Sequence, residues 1–528
     1  MTKRHQVIIV GGGPVGVGLA VELGQRGIDC AIIERRIGLS NIPKGQNLSP
    51  RTLEHFWRWG CVDALRAERL MPKGFPISGI TAYGSLMSEY WFAPPQREIT
   101  RPYYYQDVER LPQYLSEKVL RARMAELPNV DARFGWSAER IEQDENGVRV
   151  MIAERDGAGR ETLEAEYVVG CDGARSGVRE QIGIARGGAD FDQLMVLAVF
   201  RSKELHEGLK RFPGRSTYNV LHPDLKGYWQ FFGRIDVGEG WFFHAPVPPG
   251  TTTNNYDFKG LLQRVAGFPF ACEFDHVGFW DLRVAVANQY QVGRVFIAGD
   301  AAHSHPPYGG YGLNNGLEDV TNLGWKLWAK LEGWGNDALL RSYGEERHPI
   351  FEETGRDFIA GRIEWDRAFL ERHSPERDGA AFERAWKERE SGIGERLMTY
   401  EPNYEGSSIM CGPPGGKTTA HGTHSFVARA GHHLAPQLLS SGRNIFETLG
   451  TGFTLVAFDG EATSAAPFAD AARRLQVPLK LVTDTSPSAR DAYGAKLILI
   501  RPDHYVVWTG DQPPADAERV LGKAIGRS

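Results

Sequence analysis

Cysteine is scarce: Cys30, Cys61, Cys171, Cys272 and Cys411 are scattered through 528 residues, odd in number and without a CxxC. That pattern supports neither a disulfide framework nor a cysteine zinc site, and a reducing cytoplasm is the compartment it fits. Histidine offers no metal set either. His303 and His305 in HSH and the pair His432–His433 lack spaced cysteine or carboxylate partners. Long apolar runs are missing too. The chain opens on basic residues, but three glycines interrupt the apolar run after Val10, which is too short and too broken for the apolar region expected of a secretory leader. No stretch reaches the roughly 18 apolar residues of a membrane span. Nor is one charge in excess: 61 basic against 66 acidic residues give −5, no argument for nucleic acid or an anionic membrane as partner. Internal repeats and low-complexity tracts are absent.

What is present is length. A chain of 528 residues passes the size at which one core stops growing, so two or three domains are expected. It begins strand, glycine turn, helix, strand: QVIIV, GGGPVG, VGLAVELGQRG, DCAIIERR. Helices are expected over 49–59 and 111–127. From about Val148 strands dominate, and residues 195–290 carry aromatics at strand-like spacing. RVFIAGD gives one more strand, followed by a glycine-rich loop and a helix from about Leu317 to Leu331. Residues 340–400 are charged and helical, and 403–445 read as a linker or wrapping loop. The remainder runs β-α-β-β-α, from FTLVAFD to DAERVLGKAI, and resembles the thioredoxin fold without its cysteines. A structural or dimer-supporting role is the expectation for it, which puts a homodimer among the assemblies to consider.

Gly11, Gly13 and Gly16 form GxGxxG around Pro14, after a strand and at the start of a helix. The first glycine permits the tight turn, the second admits a diphosphate to the backbone, and the third allows close helix–strand packing. Free N–H groups at the helix start attract the anion. Glu34 ends the next strand, roughly 20 residues on, where a carboxylate holds ribose hydroxyls. Arg35 beside it is a candidate for adenine or phosphate.

Two further motifs, YVVGCDGARSGVRE at 167–180 and GRVFIAGDAAHSHPPYGGYGLNNGLEDVTNLGWKL at 293–327, stand in order with the first. Together the three resemble the class A flavin monooxygenases, the group of p-hydroxybenzoate hydroxylase and phenol hydroxylase, over about residues 5–365. The resemblance implies an α/β fold: a Rossmann-like FAD-binding domain (1–75, 106–185, 285–365), an inserted mainly β substrate domain (76–105, 186–284), a helical linker (366–404) and a thioredoxin-like C-terminal domain (405–528). It implies FAD as cofactor, NAD(P)H as co-substrate, and O2 and a small phenolic or polycyclic aromatic as reactants, joined through a flavin C4a-hydroperoxide.

It also implies roles. Asp300 would bond the ribityl chain, with the Gly299 backbone beside the diphosphate. Pro306 and Pro307 would flank the reactive edge of the ring, and the glycines of PPYGGYG, Gly310 among them, would let the backbone lie close. Gly312, Leu313 and Asn314 would offer backbone N–H groups to the pyrimidine end. Asp172 and Gly173 belong to a motif shared by FAD and NAD(P)H binding, and Gln113 matches a glutamine that reaches the ribityl or phosphate region. Relatives often carry arginine near Lys44 or Gln46. The guanidinium fork is missing here, and Arg51 is the substitute cation to test.

For the phenolic proton the candidates are His244, His305, Tyr308 and Tyr105, with His303 read as structural. Aromatics from Tyr228 to Phe243 either wall a dry pocket or pack the sheet. Only one GxGxxG is present, so the resemblance implies that NAD(P)H binds transiently across the FAD domain. Other readings on this fold stay open: a flavin halogenase or reductase, and a non-catalytic binding protein. The halogenase motif WxWxIP is not matched by WRWGCV at 57–62.

Overall fold

The computed structural model describes residues 3–77, 79–93, 97–458 and 464–527. Asp459, last residue of the strand expected from FTLVAFD, lies outside them.

Val7, Ile8 and Ile9 are fully buried, as a continuous apolar run must be when both faces of a strand are covered. Lys3–Val10 accordingly sits inside a sheet, parallel to Arg160–Gly170 on one side and to Cys30–Glu34 on the other. Val295–Ile297 and Val130–Phe134 extend the parallel set outward. The helices Pro14–Gly24 and Tyr311–Leu331 pack together over the sheet.

A second, eight-stranded sheet has Arg186–Arg201 between Gly240–Val247 and Glu273–Ala287, all antiparallel. Side-chain alternation splits its aromatics. Phe232, Trp241 and Phe243 pack on the helix Phe258–Ala266, whereas Phe231, Phe242, Leu197 and Leu282 face the opposite way, against Tyr308, Ile359 and Ile363. Both faces of these strands are therefore packed, one on the helix Phe258–Ala266 and the other on Tyr308, Ile359 and Ile363.

Several boundaries differ from expectation. The helix expected from Leu317 begins at Tyr311, because left-handed Gly310 (φ 67°) caps it; read as a sequence, its glycines look like loop. His303–Ser304 pairs with the edge of the second sheet although its segment continues the first domain. The stretch 366–404 is packed structure rather than a linker: Phe382 and Trp386 of the helix Gly379–Met398 stand 4.8 and 6.3 Å from the Tyr83 ring of the second sheet. Among the described residues no helix is long and apolar enough to cross a membrane.

The C-terminal sheet has the order Leu479–Thr483, Phe453–Ala457, Leu497–Ile500, Val506–Gly510, the thioredoxin-like arrangement. One helix was not expected, Pro487–Tyr493, seven residues capped by Ser486 and too short to show periodicity. Buried charges tie this domain to the first. Arg501 donates to both oxygens of Glu346 at 2.7 and 2.8 Å, and Lys326 joins them at 2.7 Å.

Candidate functional site

The three glycines of the first motif serve three distinct needs. A Cβ on Gly11 (φ 109°) would meet the Cys171 carbonyl oxygen at 2.4 Å, and one on Gly16 would meet the Gly11 oxygen at 1.9 Å, so both are demanded by protein packing. A Cβ on Gly13 would meet nothing within 4 Å. Gly13 faces a cleft of about 500 Å³ lined by Pro14, Glu34, Lys44, Gln113 and Arg121 among others. The Glu34 carboxylate is shaped by backbone donors, accepting from Gly12 N at 2.7 Å and Arg36 N at 2.8 Å. The second bond turns the chain back, so Arg36 lines the cleft; Arg35 is exposed and does not line it, which corrects the expectation for Arg35.

Further along, Gln46 is buried, and neither its amide nitrogen nor its amide oxygen has a hydrogen-bond partner. Leaving a buried polar group unmade costs about 1–3 kcal/mol, and a polar ligand in the adjoining space removes that cost. Asp172 accepts from Val178 N at 3.1 Å through one oxygen, while its other, buried oxygen is also unpaired. Arg175 is exposed. The open Gly13 cradle and these orphaned groups fit a bound dinucleotide.

The Gly299–Asp300 turn is held from behind. Asp319 accepts from Gly299 N at 3.0 Å and His303 Nε2 at 2.6 Å through one oxygen, and from Arg347 Nε at 2.8 Å through the other. Burial alone would raise the Asp319 pKa, but His303 and Arg347 hold it below the usual carboxylate range. His303 is thus structural, as expected; Asp319 stands inside the 293–327 motif with no role read for it there, and Arg347 lies outside the motifs. Asp300 itself is exposed at the turn, though the surrounding protein desolvates its carboxyl and raises its pKa. Arg179, also unread, donates to Ala301 O at 3.0 Å and so braces the Asp172 turn against this loop.

Gly309 and Gly310 are both left-handed, and the helix from Tyr311 opens with the free N–H groups of its first turn, Gly312 and Leu313 included. Asn314 stands in the same first turn, and it has a side-chain role beyond the backbone N–H expected of it. Its side chain is fully used, accepting from Ser49 N (2.8 Å) and Thr52 Oγ1 (2.6 Å) and donating to Asn47 O (2.9 Å) and Gly310 O (2.6 Å). It fastens this turn to the helix Pro50–Arg58. Arg51 is corrected as a cofactor cation: its guanidinium is taken by Glu318, Glu54 and the Asp503 carbonyl.

On the far side of Pro307, the loop meets the second sheet. The Tyr308 ring is 4.8 Å from Trp229, whose backbone N–H donates to the Tyr308 hydroxyl at 3.3 Å. His244 stands on the same face, stacked on Phe231 at 5.0 Å and edge-on to Trp280 at 5.8 Å. Trp280, missed in the sequence, keeps a buried indole N–H without partner. His305 donates through Nδ1 to the Pro306 carbonyl, which leaves a buried, unpaired Nε2. Tyr105 is elsewhere, stacked on Phe446 at 5.2 Å in the contact with the C-terminal segment, so it is corrected as a ring contact.

Burial depresses the His244 pKa to about 3 and that of His305 to about 4. Unfolded, both titrate near 6.5. Their contribution is therefore complete above about pH 6.5 and is lost as pH falls toward about 4, since the unfolded chain binds protons first. Urea unfolding at pH 7.5 and 5 should show a loss of stability, and His244→Leu should make that loss smaller. An unchanged pH slope in the variant would contradict a buried neutral imidazole.

Comparison with known proteins agrees with this geometry. The FAD binding domain family matches residues 4–356, and the family described as aromatic-ring hydroxylase, C-terminal, matches 428–528. The FAD-dependent monooxygenase apdD of Emericella nidulans is 29% identical over 569 residues, covering 98% of this chain and 90% of that protein. Rifampicin monooxygenase of Streptomyces venezuelae is 33% identical over 358 residues, 66% of this chain and 69% of that one. The solved ternary complex of aklavinone-11 hydroxylase with FAD and aklavinone superposes with a TM-score of 0.83 over the whole of both chains at 25% identity. The chain belongs to the FAD-dependent monooxygenases of the aromatic-ring hydroxylase family.

Proposed function

We propose that this enzyme uses NAD(P)H and O2 to hydroxylate a phenolic or polycyclic aromatic substrate. The observation that carries the reading is the contact of the Pro307–Tyr308 loop with the aromatic face of the second sheet. Leu313 of the helix that this loop opens lies beside Gly45, next to Gln113 of the nucleotide cleft, and in this reading cofactor and substrate meet across the loop. The C-terminal family is described as that of aromatic-ring hydroxylases, and a relative is named 4-methyl-5-nitrocatechol 5-monooxygenase, which supports an aromatic substrate.

In this reading Gly13, Pro14, Glu34 and Gln113 bind the nucleotide half of FAD, and Gln46, Asp172, Gly299 and Asp300 the diphosphate, ribityl and ring edge. Gly310, Gly312 and Leu313 bring backbone donors to the pyrimidine end, with Asn314 holding that turn in place. When bound, the flavin supplies electron storage from NAD(P)H and activation of O2 at its C4a position. The protein does the rest. Pro307 shapes the reactive edge, and the apolar cluster around Phe231 and Phe242 excludes water. The neutral imidazoles of His244 and His305 accept a hydrogen bond from the phenol, and the Tyr308 hydroxyl keeps its proton to donate, because burial raises its pKa. A phenol so engaged has a more electron-rich ring. The segments 1–75, 106–185 and 285–365 hold the cofactor, 76–105 and 186–284 the substrate, and 405–528 stabilises the whole.

Stopped-flow reduction of the enzyme-bound flavin by NADH and NADPH, with and without phenols, naphthols and polycyclic phenols, tests this. A true substrate should accelerate reduction and emerge heavier by one oxygen. Failure of every aromatic to do either would refute the proposal.

A further inference from the structure

A larger cavity, about 1050 Å³, opens on the other side of the helix Tyr311–Leu331 from the nucleotide cleft. Tyr311, Asn314, Asn315 and Glu318 line it, at the spacing of one helix face. The opposite face belongs to the cleft side, where a Cβ on Gly316 would lie 2.7 Å from Val15 and 3.3 Å from Gly299. Trp229, His244 and Tyr308 do not line this cavity. Its outer wall comes from the wrapping segment and the C-terminal domain, through Tyr400, Glu401, His424, His433 and Tyr505.

The lining selects its ligand. Arg51 is paired with Glu54 and Glu318 and Arg347 with Asp319, so these cations are already compensated, and the His433 ring is bonded to Glu54, which leaves none of the three for a diphosphate or a carboxylate. Aromatic rings form the walls: Tyr103 stacks on His424 at 5.3 Å, Tyr104 on His433 at 5.1 Å, and Tyr311 lies 4.7 Å from Tyr400. Flat faces of this kind hold flat ring systems. Two lining residues keep a buried polar atom without a partner, Glu401 Oε2, which lies against Gly422, and His424 Nε2. His424 is buried, the Tyr400 backbone bonds its ring, and its Nε2 has no partner. Burial keeps that imidazole neutral, with a pKa lowered to about 4, so Nε2 is a hydrogen-bond acceptor rather than a base for a phenol near 10.

We propose that this cavity is a second binding site, for a neutral polycyclic phenol whose hydroxyl donates to His424 Nε2, and that it adjoins the reaction site at Gly310 and Asn314, which line it too. It gives the wrapping segment and the C-terminal domain a part in binding substrate before it reaches the flavin side.

Fluorescence titration of the FAD-loaded enzyme with 9-phenanthrol and with its methyl ether tests the site, because only the phenol can donate. In the wild type the phenol should occupy the site about tenfold more tightly than the ether. His424→Leu should erase that difference for one equivalent. Ser425→Trp, which fills the cavity from its outer wall, should remove one bound equivalent while leaving flavin absorbance intact. Equal binding of phenol and ether in the wild type, or an unchanged number of equivalents in Ser425→Trp with flavin retained, would overturn the proposal. Neither result bears on turnover at the flavin, which the stopped-flow experiment reads separately.

Discussion

Gly13→Val should fold as stably as the wild type and come off the column colourless. The backbone at Gly13 (φ −72°, ψ 179°) is one that a β-branched residue adopts readily. Its added side chain would find no protein atom within 4 Å of the Cβ, so unfolding free energy should shift by no more than about 0.5 kcal/mol. The methyl groups would instead occupy the space of the diphosphate. FAD affinity should fall by about a hundredfold or more, equivalent to roughly 2.7 kcal/mol. Gly16→Val is the contrasting variant. Its Cβ would sit 1.9 Å from the Gly11 carbonyl oxygen, so it should fail to fold rather than merely lose flavin. Flavin absorbance per chain together with urea unfolding separates the two. A yellow Gly13→Val protein would mean that the diphosphate does not lie against this turn.

Asp319→Ala should cost about 3–5 kcal/mol and reduce flavin occupancy with it. The carboxylate is fully buried and serves three donors, so its removal strands the Arg347 charge, His303 and the Gly299 N–H together. The Gly299 turn bearing Asp300 then loses its support. Glu383→Ala is a suitable control, since its pair with Lys387 is exposed at both ends and should be worth under about 0.5 kcal/mol. Equal stability of Asp319→Ala and Glu383→Ala would show that the buried triad does not hold the loop.

These two cases also mark what a sequence can disclose. Gly11, Gly13 and Gly16 are legible because their pattern is local, strand, turn and helix within a few residues, even though the atom that excludes a side chain at Gly11 belongs to distant Cys171. Glu34 follows at a fixed distance for the same reason. The alternation of Trp241, Phe242, Phe243 and His244 predicts two faces of a strand, though not which face meets the flavin loop. Asp319 and Arg179 stand inside the quoted motifs and Arg347 outside them, but none discloses its role, since each acts across a contact that exists only after folding, 28 residues apart for Asp319 and Arg347 and 122 for Arg179 and Ala301. Arg51 misled for a related reason. An arginine near a cofactor motif reads as a cofactor ligand until Glu54, Glu318 and the Asp503 carbonyl are brought around it. The helix start at Tyr311 was hidden by Gly309 and Gly310, whose left-handed backbone makes a cap out of what reads as loop.

The central claim is that one atom of molecular oxygen is inserted into an aromatic ring beside the bound flavin. Turnover under 18O2 in ordinary water, with mass analysis of the hydroxylated product, tests it most directly. One 18O atom per new hydroxyl is expected, and none when the label is supplied as H2 18O. A product labelled from water, or flavin oxidation that yields only hydrogen peroxide with every aromatic offered, would contradict it.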